Sequence, residues 1–156
     1  MPARSTAYPF GDLLALARQS WLGEMTRRLA ERGHADYRRS DAAAIRMLRR
    51  GPQSIGALGA GLGVSRQAGR KVADGLEQRG YVTTERDARD SRQLNVVLTP
   101  AGGAFARDVV AVIAELNDEV ASRTAPADLV AVDTVLRAIL FDESARQRAA
   151  RLPGPA

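Results

Sequence analysis

Cysteine is absent from the 156 residues. That excludes a disulfide framework, a thiolate zinc site and a thiol redox switch, and it fits a reducing, cytoplasmic setting. Histidine occurs once, at His34, so a multi-histidine metal site is excluded and no metal is expected. No run of about 18 uncharged apolar residues occurs, so no membrane span is expected. The first residues lead into no apolar signal core, so secretion is not expected either. The glycines between residues 56 and 63 resemble a phosphate loop only superficially. No strand precedes them and no Gly-Lys-Ser/Thr follows. No nucleophile–base pair and no catalytic arrangement of carboxylates is recognisable. The chain reads as a non-enzyme with no cofactor.

Lysine is nearly absent as well, since Lys71 is the only one. The other basic residues are arginines. Their guanidinium fork matches phosphate and guanine edges, although a GC-rich genome produces the same bias. Net charge is +5, unevenly spread. Residues 1–99 hold 17 Arg/Lys against 10 Asp/Glu, whereas residues 100–156 hold 6 against 8. The first part should attract a polyanion and the second should not. The length suits one structural domain with a real core.

Hydrophobic spacing predicts a helix from Phe10 to Glu31, with Leu14, Ala17, Trp21, Met25 and Leu29 on one face and Gly33 ending it. A second helix follows Ser40, a candidate N-cap, and carries Ala44, Ile45 and Leu48 up to Gly51-Pro52. A short helix from Ser54 to Ala60 is broken by Gly61-Leu62-Gly63. Ser65 then caps a helix to about Arg79, closed by Gly80. Residues 81–85 and 94–99 are β-prone and flank a charged stretch, which predicts a hairpin. Two further helical stripes follow, Phe105 to Val120 and Leu129 to Leu140. The expected order is α-α-α-α-β-β-α-α, a mainly α (α+β) fold.

The third and fourth helices form a helix-turn-helix, in which a short helix braces a second one in the DNA major groove. Ile55, Leu58 and Leu62 supply the brace, Gly63 the turn, and Val64 a plug against the core. Ser65 presents helix N-terminal amides to phosphate. Arg66, Gln67, Arg70 and Lys71 project from the first two turns, where Gln67 suits adenine and Arg70 guanine. The bland alternative is an αα-hairpin with a solvated charged face. The hairpin favours DNA, because a charged loop after a recognition helix is a wing. Arg86, Arg89 and Arg92 lie in it, and a wing arginine fits the minor groove. Asp90 and Arg92 suit an ion pair or a loop brace, with one arginine presented to DNA.

Four segments carry a more specific likeness: Val64-Ser65-Arg66-Gln67-Ala68, Leu76 to Val82, Asp87 to Arg92, and Val96 to Gly102 with its Leu-Thr-Pro-x-Gly ending. Together they resemble the MarR family of bacterial regulators over nearly the whole chain. The resemblance implies a winged helix with N- and C-terminal helices forming a dimerisation region. It implies a homodimer on pseudo-palindromic double-stranded DNA, usually a repressor, released by a small aromatic or phenolic effector. It places Ser65, Arg66, Gln67, Arg70 and Lys71 in the recognition-helix contact region and Asp90 and Arg92 in the wing pair. Arg89 is a further DNA candidate, standing in for the arginine that usually occupies position 91. On this reading 1–38 is a dimerisation helix, 39–99 the winged helix, 100–150 the C-terminal dimerisation helices and 151–156 a frayed tail.

Gly56, Gly59, Gly61 and Gly63 depart from the helix formers usual in the bracing helix, as do Gly69 and Gly75 in the recognition helix. Each interior glycine costs about 1 kcal/mol relative to alanine. They leave a second reading open, a winged helix protein-interaction or dimerisation module with weak or no operator binding. A short winged helix unit cannot cover the apolar faces of the terminal helices, and a C2 mate is the commonest solution. Trp21, Met25, His34 and Tyr37 either line a ligand cleft or belong to ordinary core and loop.

Overall fold

The computed structural model describes residues 9–87, 90 and 92–152. The helices are α1 (Phe10–Glu31), α2 (Asp41–Leu48), α3 (Ile55–Leu62), α4 (Arg66–Gln78), α5 (Pro100–Ser122), α6 (Pro126–Ala138) and α7 (Glu143–Ala149). The strands are β1 (Gln53–Ser54), β2 (Val82–Arg86) and β3 (Leu94–Leu98). Two compact units are present, residues 1–39 and 40–156.

The first unit is built on α1. Its C-terminal part carries the buried Met25 and Leu29, whereas Leu13, Leu14 and Leu16 are exposed. Glu24 binds Arg27 at 2.6 Å and Arg28 at 2.7 Å along the helix. Hydrogen bonds from Arg27 first, then Arg28, hold the Glu24 carboxyl down to about 2. Gly33, at φ +93°, turns the chain out of the helix.

In the second unit, α2, α4 and α5 surround a core of Ala44, Ile45, Leu48, Leu76, Phe105, Val109 and Val112, all buried. Three antiparallel strands run in the order β1-β3-β2. Val82 pairs with Leu98 and Arg86 with Leu94, so the wing tip spans 87–93. Gln53 pairs with Val96, a strand too short to leave a periodic signal. α7 is likewise additional to the expected order.

Two expectations are corrected. Ser40 makes no capping hydrogen bond, because its own backbone is already helical. Val64 is not a plug but 44% exposed, since Gly63 at φ +71° turns it outward. α6 contains no buried residue, so its apolar stripe stays uncovered within one chain.

The glycines of the helix-turn-helix have a packing reason. A Cβ on Gly69 would lie 2.8 Å from the Gly59 Cα, and one on Gly59 would lie 3.0 Å from the Ser65 carbonyl oxygen. α3 and α4 therefore meet backbone to backbone, which only glycine permits. Gly102 has the same role at the start of α5, where a Cβ would lie 1.8 Å from the Tyr81 carbonyl oxygen. Thr99 caps that helix by accepting from the Gly102 N–H at 3.0 Å, and its hydroxyl donates to the Gly80 carbonyl at 2.6 Å. The Leu-Thr-Pro-x-Gly segment is thus a joint between the sheet and α5.

Gly56, in contrast, has open space around it. Gly56→Ala should raise stability by up to about 1 kcal/mol through helix propensity alone. Gly69→Ala should lower it by roughly 1–3 kcal/mol through overpacking. Urea denaturation of the two variants checks the pair, and equal effects would contradict the close approach.

Candidate nucleic-acid interface

The recognition helix begins at a built cap. Ser65 accepts from the Ala68 N–H at 3.2 Å, and Ser54 caps α3 the same way from Ala57 at 3.1 Å. Both N-termini open on one groove of about 590 Å³ lined by Ser54, Gly56, Arg66, Gln67, Arg70 and Arg92, among others. The sheet supplies the far wall through Gln93 and Leu94. The expected contact residues Arg66, Gln67, Arg70 and Arg92 are therefore brought together. Ser65 and Lys71 are exposed on the same helix region without lining the groove.

Charge in the groove is mostly unneutralised. Among the described residues Arg66 and Arg92 form no salt bridge, while Arg70 pairs with Asp74 at 2.8 Å one turn along α4. That exposed pair is worth only about 0.3–0.5 kcal/mol, so Arg70 can swing to a stronger partner at little cost. Arg89 lies outside the described residues.

The wing aspartates turn inward on the loop. Asp87 accepts from the Asp90 N–H at 3.0 Å and from the Asn95 side-chain amide at 2.7 Å. Asp90 accepts from the backbone N–H of Arg92 at 3.0 Å. Asp90 thus engages the Arg92 backbone, and the contact is not a side-chain ion pair. The geometry holds the loop while leaving the Arg92 guanidinium to the groove.

Two supports escaped the sequence reading. Glu77 on α4 accepts from both the Thr84 N–H (3.0 Å) and its hydroxyl (3.1 Å), tying recognition helix to wing strand. Arg79, at the end of α4, makes a bidentate pair with Asp41 at 2.6 and 3.1 Å. Asp41 is 1% exposed. The guanidinium also donates to the Gly75 carbonyl and lies 5.7 Å from the Tyr81 ring centroid. Tyr81 in turn stacks on Phe105 of α5, 4.4 Å between centroids. Residues 38 apart in the chain carry no local signal of pairing.

Of the suggested ligand-cleft residues, Met25 and Tyr37 are buried, and Trp21 and His34 are half-buried. All four belong to the first unit. Among the described residues no cluster of His, Asp or Glu is arranged to hold a metal, and no helix is long and apolar enough to cross a membrane.

Helix-turn-helix, three-stranded sheet and projecting hairpin define a winged helix fold, a DNA-binding architecture. Residues 35–93 match the MarR family model. Solved structures extend the likeness in fold. A mutant of MarR from E. coli complexed with operator DNA aligns with a TM-score of 0.73 at 18% identity, covering 90% of this chain and 99% of that one. The PcaV transcriptional regulator from Streptomyces coelicolor, in complex with its natural ligand, aligns at 0.71 and 21% identity, covering 89% and 96%. BpsR from Bordetella bronchiseptica, whose DNA binding is regulated by 6-hydroxynicotinic acid, aligns at 0.68 and 22%, covering 85% and 98%. No curated protein matches by sequence.

Asp41→Ala leaves Arg79 nearly buried without its carboxylate partner and should destabilise by about 3–5 kcal/mol. Replacing both, Asp41→Leu with Arg79→Met, should recover much of that loss. Denaturant midpoints of the single and double variants test the pair. A single variant as stable as the parent would show that the pair holds nothing.

Proposed function

We propose that the protein is a sequence-specific DNA-binding transcriptional repressor, acting as a homodimer on a pseudo-palindromic operator and released by a small aromatic or phenolic effector. The observation that carries this reading is the groove in which Arg66, Gln67, Arg70 and Arg92 converge between α4 and the wing. Arg66 and Arg92 spend their charge on no internal partner among the described residues. α4 enters the major groove, with Gln67 and Arg70 reaching base edges. Arg92 and Arg89 serve the minor groove, where negative potential is focused. Ser65 and Lys71 contact phosphate.

Dimerisation is supported by apolar surface. Leu13, Leu14 and Leu16 of α1 are exposed, as are Val130, Val132, Val135 and Leu136 of α6, and Phe141 is 85% exposed. Exposed apolar side chains on these helices ask for a partner, and an isologous C2 mate covers the same helices on both chains. The close glycine packing of α3 on α4 removes the main reason to favour an interaction module without an operator. An effector held by Trp21, Met25, His34 and Tyr37 would act from the first unit, as PcaV and BpsR are solved or described with small ligands.

Arg92→Ala should weaken operator affinity roughly tenfold, about 1.4 kcal/mol, while sedimentation shows an intact dimer. An electrophoretic mobility shift titration on DNA selected from a random pool measures it. Affinity unchanged by the substitution would remove the wing from the interface. A parent protein that selects no sequence would overturn the operator reading.

A further inference from the structure

We propose that a second cleft, between α2 and α7 and apart from the DNA-reading groove, is a phosphate-binding site. It measures about 310 Å³, and Arg46, Arg50, Arg148 and Arg151 converge on it. That volume is at the low end of small-ligand sites, about 300–1,000 Å³. Met47 and Leu152 add apolar wall, and no carboxylate lines it.

The other arginines of the C-terminal segment show what these four lack. Arg146 pairs with Glu143 at 3.2 Å and donates to the carbonyls of Leu140 and Phe141. Arg137 pairs with Asp133 at 2.7 Å and donates to the Ala149 carbonyl, fastening α7 to α6. Arg46, Arg50, Arg148 and Arg151 form no salt bridge among the described residues. Arg148 is held by the Ser144 hydroxyl, a neutral partner. Like charges gathered in one concavity repel, and a multiply charged anion turns that repulsion into attraction. Planar guanidiniums match phosphoryl oxygens in bidentate geometry.

The location gives the site a bearing on the rest of the unit. A Cβ built on Gly63 would lie 3.1 Å from the Arg148 guanidinium, so the side chain crosses the turn between α3 and α4. Gln53 lines this cleft, and the next residue, Ser54, lines the DNA groove. The phosphate has two possible sources, a free phosphorylated small molecule or DNA backbone flanking the operator. Only the second rests on the operator reading.

Two arms separate the sources, each comparing the full-length parent with an Arg148→Ala/Arg151→Ala double variant and an Arg66→Ala/Arg92→Ala control. Calorimetric titration with inorganic pyrophosphate tests the free ligand. Saturable binding that falls at least tenfold in the first variant and persists in the control supports that source. Duplexes with and without about one extra helical turn at each end test the backbone. An affinity loss in the first variant confined to the longer duplex supports DNA. No calorimetric loss together with no loss on the longer duplex overturns the proposal. A parent that binds pyrophosphate at this cleft but no DNA would sink the operator reading and leave the site standing.

Discussion

The bidentate pair between Asp41 and Arg79 is the constraint around which the winged helix is arranged. It joins the first residue of α2 to the end of α4, and one partner is 1% exposed. Two charges out of water are tolerated only with good geometry and further hydrogen bonds. Here the geometry is a fork on a carboxylate, and the Gly75 carbonyl takes another donor. Through Tyr81 and its stack on Phe105 the same cluster reaches α5. The C-terminal end of the recognition helix is thereby fixed to α2, to the sheet and to the long helix behind it.

The N-terminal end is fixed by other means. Gly59 and Gly69 bring α3 and α4 into backbone contact, and Ser65 caps α4, while Glu77 adds a tie from the C-terminal end to the wing strand through Thr84. With both ends held by backbone and buried groups, the exposed side chains of α4 have few internal duties. The same economy governs the wing, where Asp87 and Asp90 satisfy main-chain donors and the Arg92 guanidinium is left over. Arg79, matched to a buried carboxylate, builds the frame, whereas Arg66 and Arg92 line the groove without a salt bridge among the described residues.

Much of this was legible in the sequence. The 22-residue α1, the helix-turn-helix and the hairpin followed from periodicity, caps and turn glycines, and their placement holds. Arg66, Gln67, Arg70 and Arg92 were named from the recognition helix and the wing, and they line one groove. What was not legible depends on distant contacts. The Asp41–Arg79 pair spans 38 positions, and Gly59 and Gly69 looked like defects until the approach of the two backbones explained them. The C-terminal arginines were discounted because residues 100–156 carry net negative charge. Regional charge says nothing about where the fold carries each side chain, and Arg148 and Arg151 meet Arg46 and Arg50 across the cleft.

The central claim is that the groove between α4 and the wing engages DNA in two symmetric copies. Hydroxyl-radical footprinting on a selected duplex tests it most directly. Two protected patches should appear about one helical turn apart, roughly 34 Å between centres, each flanked by minor-groove protection from a wing. A single patch, or uniform protection along the duplex, would contradict it.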